Sequence, residues 1–258
     1  MTELLLTETT DRVRTVTFNR PEARNALNTA LQRAAAAALI DADGDDAVDA
    51  VILTGTDPAF CAGLDLKELG GTAENLLGVL DAPDASPFAA LVKMTKPVIG
   101  AINGPCVTGG FELALACDFL VASERARFAD THARVGLTPG GGMSVNLPQA
   151  VGLRRAKEMS LTGNSIDAAE AHRLGLVNHV VAHVDLLPHA QTLASEIAEN
   201  DPRAVRNLKQ LYDEGARLPA GDAWRLEQQR FRSWTFDPAE IERRRAGIVA
   251  RGRGQTRS

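Results

Sequence analysis

Cysteine is scarce. Only Cys61, Cys106 and Cys117 occur in 258 residues, an odd number at irregular spacing. That pattern excludes a disulfide framework and a zinc-finger spacing, and it suits a reducing compartment. Small thiols of this kind are more often packing residues than nucleophiles. Clustered basic charge is missing too. The formal net charge is −5, and Lys and Arg are scattered until the last twenty positions. No basic stripe forms of the kind that tracks a phosphate backbone, so nucleic acid is not expected as a partner. No apolar run reaches the ~18–20 residues of a membrane span. The opening MTELLLTETTDRVRTVTF lacks the basic segment, apolar segment and cleavage site of a secretory signal. The expectation is a cytoplasmic protein with no membrane association.

Several catalytic signatures are also absent. There is no Gly-x-x-x-x-Gly-Lys-Ser/Thr loop and no Gly-x-Gly-x-x-Gly turn, which weakens nucleotide-triphosphate and dinucleotide readings. Without Gly-x-Ser-x-Gly, Ser144 in GMSVN is a poor nucleophile. His172, His179, His183 and His189 fall in the C-terminal part without ligand spacing, so no metal site is expected and they read as surface or packing residues.

What is present is a chain that is 45% hydrophobic and long enough for one large α/β domain or two small ones. Residues 3 to 8 and 12 to 19 read as two strands of an opening hairpin. Asn28 is placed to cap an Ala-rich helix through Ile40, ended by the loop Asp41 to Asp46 before a strand from Val48 to Thr54. Val98 to Ile102 reads as a buried strand, broken by Gly104 and Pro105. A helix from about Gly110 to Ala116 and a strand from Phe119 to Ala122 follow. Strands alternating with helices favour a mainly parallel sheet with right-handed crossovers. From Leu153 the pattern is mostly helical, with helices expected at Asp185 to Asn200, Pro202 to Glu214 and Pro238 to Val249. No linker rich in Pro, Gly or Ser and no internal repeat interrupts the chain.

Two short stretches carry chemical content. In Phe60-Cys61-Ala62-Gly63-Leu64-Asp65-Leu66-Lys67 a small-residue loop enters a helix near Asp65, where the first N–H groups lack intrahelical partners. Alone, this is equally an ordinary strand-to-helix turn. The stretch Asn103-Gly104-Pro105-Cys106-Val107-Thr108-Gly109-Gly110-Phe111-Glu112 repeats the device. Two loops that each offer one N–H to one oxygen meet the need of a developing thioester enolate or oxyanion.

Taken together, NRPEARNALN (19 to 28), FCAGLDLKEL (60 to 69), INGPCVTGGFELALACDFLVAS (102 to 123) and GLTPGGG (136 to 142) resemble the crotonase, or enoyl-CoA hydratase/isomerase, superfamily. The blocks stand in the family's order and span nearly the whole chain. The resemblance implies an α/β fold: a spiral of β-β-α units over residues 1–195, with a C-terminal helical oligomerisation region over 196–258. It implies a homotrimer or homohexamer that acts on an acyl-CoA or enoyl-CoA in fatty-acid β-oxidation. No cofactor is implied, since coenzyme A is part of the substrate. The oxyanion donors it implies are the N–H groups of Leu64 and Gly109. The substrate-binding residues it implies are Arg24, Ala26, Leu27, Ala62, Gly63, Leu64, Asp65, Leu66, Lys67, Gly109 and Gly110, with Arg24 or Lys67 neutralising CoA phosphates.

Hydratases of this family use two glutamates twenty positions apart. Glu112 matches the first, but His132 stands where the second belongs. Histidine exchanges protons near neutral pH, so Glu112 can activate water while His132 delivers a proton to the α-carbon. The catalytic residues expected are therefore Glu112, His132, Leu64 and Gly109, in an enoyl-CoA hydratase (a lyase). Alternatives are an enoyl-CoA isomerase, or an acyl-CoA binding protein without turnover. A dienoyl isomerase is disfavoured, because its further carboxylate would fall at Gly140. Gly70, Gly71, Gly78, Pro83 and Pro87 are compatible with a mobile lid or an inert irregular loop.

Overall fold

The structure is a computed structural model that describes residues 3–71, 82 and 85–255; Gly78 and Pro83 of the expected lid lie outside the described residues. The chain divides into two compact units, Met1–Lys209 and Gln210–Ser258. The boundary expected after residue 195 falls inside a continuous helix, Leu186–Ala198, and the division comes instead within the helix Pro202–Gly215.

The first unit opens with strands β1 (Leu5–Thr10) and β2 (Val13–Phe18), paired antiparallel in a hairpin. Both turn residues, Asp11 and Arg12, have positive φ, as the right-handed strand twist demands of a two-residue turn. Strands β3 (Ala50–Gly55), β4 (Val98–Ile102), β6 (Phe119–Ser123) and β9 (His179–Val181) then add in parallel, in the order β1-β2-β3-β4-β6-β9. A second, three-stranded sheet consists of β5 (Pro105–Val107), β7 (Arg127–Ala129) and β8 (Ile166–Asp167).

Helix α1 (Thr29–Gly44) starts at Asn28, whose side chain accepts from Leu31 N at 2.8 Å. It runs four residues past the expected end at Ile40. The reason is tertiary: the fully buried Lys96 Nζ donates to Ala42 O and Asp45 O, supplying the terminal carbonyls with donors the local sequence lacks. Asp43 joins the same clasp by accepting from Thr95 N, Thr95 Oγ1 and Lys96 N.

Residues 66–71 form α2, followed by α3 (Pro87–Lys93), α4 (Gly109–Leu115) and α5 (His132–Val135). Then come α6 (Met143–Val151), α7 (Leu153–Thr162), α8 (Ala168–Arg173), α9 (Leu186–Ala198) and α10 (Pro202–Gly215). The central strands β3, β4 and β6 are covered on both faces, so they are near-continuous apolar runs. Val16, Phe18, Val51, Leu53, Val98 and Ile102 pack with α1, α3 and α4 residues. The alternate residues Val13, Ile52, Ile99, Ala101 and Val121 pack with Leu186, Ala190 and Ala194 of α9.

Three short elements depart from expectation. Pro105 does not merely break β4 but begins β5, and β8 and β9 lie in a region read as helical. Each is two or three residues long and exists through its partner strand, so it leaves no periodic trace. The second unit holds the end of α10 with α11 (Ala220–Ser233) and α12 (Pro238–Gln255); α11 was not expected. Arg230 joins α11 to α10 by donating to Gln210 Oε1 at 3.0 Å and Glu214 Oε1 at 2.6 Å.

Candidate active site

Two loops leave the sheet and are laced together by their backbones. Cys61 N donates to Pro105 O at 3.2 Å, and Val107 N donates back to Cys61 O at 2.9 Å. The first loop then turns at Gly63, whose φ is +91°; a Cβ there would lie 3.0 Å from Val107 O and 3.2 Å from Gly109 N. Only glycine fits such a turn against a neighbouring backbone. The second loop turns at Thr108, where φ is 52° and ψ −112°, a strained conformation for a β-branched residue. Thr108 is held there by a 2.6 Å bond between its Oγ1 and Thr131 Oγ1, and by Thr131 N donating to Thr108 Oγ1 at 3.2 Å.

The outcome is that Leu64 N and Gly109 N sit side by side. A Cβ on Gly109 would be 3.6 Å from Leu64 N. Among the described residues neither N–H donates to a protein acceptor. Gly110 makes the approach possible, since a Cβ there would lie 2.3 Å from Cys61 O.

Glu112, in the first turn of α4, is 3% exposed. Its Oε1 accepts from Gly141 N at 2.7 Å and Met143 N at 3.3 Å, so the glycine-rich block before α6 serves as a cradle for this carboxylate. Burial pushes the Glu112 carboxyl above its usual range, against the opposing pull of those two N–H groups and of His132. Its Oε2 faces His132 Nε2 at 3.7 Å. His132 begins α5 and is 6% exposed. Its Nδ1 lies 2.6 Å from Asp130 Oδ1, which also accepts from His132 N at 3.1 Å. Burial raises the Asp130 carboxyl, but hydrogen bonds from His132 and Ser160 outweigh it and hold the group below its ordinary range. Phe88 of α3 closes one wall: its ring contacts the Cβ positions of both Gly109 and Gly141.

The other residues expected to bind substrate divide into three groups. Ala26, Leu27, Ala62 and Gly63 act through backbone, with Leu27 N donating to Gly63 O at 2.8 Å, Asp65 N to Leu27 O at 3.1 Å and Ala62 N to Arg24 O at 3.0 Å. Leu27's side chain is wholly inside the core. Asp65 is occupied structurally, because its carboxylate accepts from Arg20 Nη2 at 3.0 Å and Lys67 N at 3.0 Å and so caps α2. Burial raises the Asp65 carboxyl, but the Arg20 bond and the N–H groups of Lys67 and Glu68 together outweigh it and hold the group below its ordinary range. The side chains of Arg24, Leu66 and Lys67 are exposed.

Several residues of the site carry no local sequence signal. Asn25, fully buried at φ 57°, accepts from Arg20 N and donates to Thr56 O and Ala59 O, which sets the Arg24–Leu27 segment beside the first loop. The pairings of Thr108 with Thr131 and of Glu112 with Gly141 join segments more than twenty residues apart. The remaining histidines do not converge with this site: His183 bridges Ser123 Oγ and Asp57 Oδ2, and His179 stacks edge-on with His189. Among the described residues no group of three or more His, Cys, Asp or Glu is arranged to hold a metal ion.

Comparison with known proteins gives the same answer. A family model described as enoyl-CoA hydratase/isomerase matches residues 8–250. A probable peroxisomal enoyl-CoA hydratase 1 of Arabidopsis thaliana is 39% identical over 240 residues, 93% of this chain and 89% of its own length. A probable enoyl-CoA hydratase of Rhizobium meliloti is 39% identical over 98% of this chain and 97% of its own. Among solved structures, an enoyl-CoA hydratase of Mycobacterium tuberculosis superposes with TM-score 0.76 at 52% identity, covering 90% of this chain and 100% of that one. One from Bacillus anthracis reaches TM-score 0.88 at 33% identity, covering 95% of this chain and 97% of its own. A laced pair of glycine loops, the buried acid beside them and full-length similarity in sequence and fold coincide in one chain, which belongs to the enoyl-CoA hydratase/isomerase family with the crotonase fold.

Proposed function

We propose that this enzyme adds water across the 2,3 double bond of an enoyl-CoA, with the thioester oxygen bound by Leu64 N–H and Gly109 N–H. The observation that carries the reading is the adjacency of those two amides, on one wall with buried Glu112 and His132. Glu112 takes a proton from water as its oxygen bonds to C3. The π electrons move toward C2, and charge builds on the thioester oxygen, which the two N–H groups stabilise. His132 Nε2 then gives its proton to C2. Proton return from Glu112 to His132, 3.7 Å apart, restores the starting state. Atoms balance with water alone, so no group is required beyond the coenzyme A of the substrate. Arg24 and Lys67, whose side chains are exposed, are assigned to the CoA phosphates.

Three free thiols fit a cytoplasmic setting, and fatty-acid β-oxidation is the process this reaction serves. We also assign the second unit to assembly as a homotrimer or homohexamer, supported by exposed Trp224, Phe231 and Phe236. Sedimentation showing a monomer at assay concentration would refute that part.

The test of the reaction is incubation with crotonyl-CoA and longer trans-2-enoyl-CoA esters while following loss of the conjugated thioester absorbance and appearance of 3-hydroxyacyl-CoA. Tight binding without turnover would replace the reading with a carrier. Interconversion of 3-enoyl and 2-enoyl esters without a hydroxyacyl product would replace it with an isomerase.

A further inference from the structure

A carboxylate can only accept, so the 2.6 Å contact of Asp130 Oδ1 with His132 Nδ1 means that Nδ1 carries a hydrogen. The other ring nitrogen, Nε2, is thereby the one that exchanges protons, and it is the nitrogen that faces Glu112. Asp130 is 1% exposed, and its grip is doubled by His132 N donating to the same oxygen, so the ring has a fixed orientation as well as a fixed tautomer.

The charged groups around the ring can be named. Glu112 faces it from α4, and Asp130 from the strand-to-helix link before α5. From α7, Ser160 reaches Asp130. Arg134, on α5 itself, turns away to Thr162 O and Asn164 Oδ1, and Arg155 of α7 is engaged with Glu158 and Glu170. No cation is therefore set against the imidazole among the described residues, and two carboxylates are.

We propose that Asp130 is a positioning residue for proton delivery: it accepts the Nδ1 hydrogen and so holds His132 with Nε2 toward the reacting carbons, where that nitrogen gives its proton to C2. The pair Asp130–His132 then performs with two residues what a single carboxylic acid at position 132 would do with one. When the Nε2 proton leaves, the ring becomes neutral while Nδ1–H stays on Asp130, so no proton is left on the aspartate. This proposal rests on the hydratase reading, and the experiment separates the two.

The variant is Asp130→Asn, which keeps the size of the side chain, removes its charge and replaces one acceptor oxygen by an NH2 donor that can turn toward Nδ1. Two measurements are made on the full-length protein. In the hydration assay, kcat is expected to fall about 10²–10⁴-fold, as when a histidine loses its orienting aspartate. KM is expected to change little, because Asp130 touches the ring and not the substrate. In parallel, ¹⁵N-histidine NMR, with the His132 signals assigned by their loss in His132→Gln, reports the ring directly. The wild-type ring is expected to show a hydrogen fixed on Nδ1, and Asp130→Asn is expected to lose that fixed tautomer. A merely structural role for Asp130 would lower activity while the ring keeps its Nδ1 hydrogen in Asp130→Asn, and that result overturns the proposal. If the wild-type protein shows no hydration, the hydratase reading fails while the NMR tautomer still decides whether Asp130 governs the ring.

Discussion

Replacing Glu112 by Gln isolates its chemistry from its packing. The Gln carbonyl can take the two hydrogen bonds that Oε1 now receives from Gly141 N at 2.7 Å and Met143 N at 3.3 Å. Its amide group then faces His132 across the present 3.7 Å gap. What is lost is the base. General acid–base assistance is worth about 10²–10⁴-fold, or roughly 2.7–5.4 kcal/mol at 1.36 kcal/mol per decade, and kcat for crotonyl-CoA hydration should fall by that factor. Stability should move the opposite way. Burial raises the Glu112 carboxyl from its ordinary 4.5, so the folded state resists ionisation. The stabilisation from that group is complete below 4.5 and is lost as pH rises through the elevated folded value. The Gln variant, which never ionises, should therefore unfold at higher denaturant than the wild type near neutral pH. The difference should shrink toward zero below pH 4.5. Urea titrations at several pH values, read beside steady-state rates, provide both numbers. Turnover equal to wild type in the Gln variant would remove Glu112 from the mechanism, and a Gln variant less stable at neutral pH would refute the burial argument.

Three other substitutions probe separate parts of the structure. Gly109→Ala adds a methyl at ordinary contact distance, 3.5 Å from Gly63 Cα and 3.6 Å from Leu64 N, so the protein should fold with a near-native Tm. Crowding beside the paired amides should cut kcat by about 10²–10³-fold, the effect of losing one donor; unchanged turnover would argue against those amides holding the thioester. Lys96→Met leaves Ala42 O and Asp45 O buried without their ammonium donor, and unfolding should become easier by about 3 kcal/mol in urea. Gln32→Met should act in the other direction: Gln32 is 0% exposed and among the described residues neither amide atom has a partner. Removing them should stabilise by about 1–3 kcal/mol, and a lower urea midpoint would show that the amide is satisfied in solution.

The amino-acid sequence determined the parts of this protein that depend on near neighbours. Alternating and continuous apolar runs defined β2, β3, β4 and β6 to within one or two residues, Asn28 marked the start of α1, and the glycines at 63, 109 and 110 marked where two backbones come close. Glu112 and His132 were legible because the four resembling blocks fix their spacing. Only tertiary structure decided how those groups work. The clasp of Lys96 on α1, the cradle of Gly141 and Met143 around Glu112, the tether between Thr108 and Thr131 and the wall made by Phe88 all join segments distant in sequence. Hydrogen bonds and ring contacts across such separations leave no period and no local propensity behind, since a donor needs only to arrive at its acceptor, whichever part of the chain supplies it. The same holds for charge: whether a carboxyl is raised, as in Glu112, or lowered, as in Asp130, depends on the burial and partners that folding brings to it.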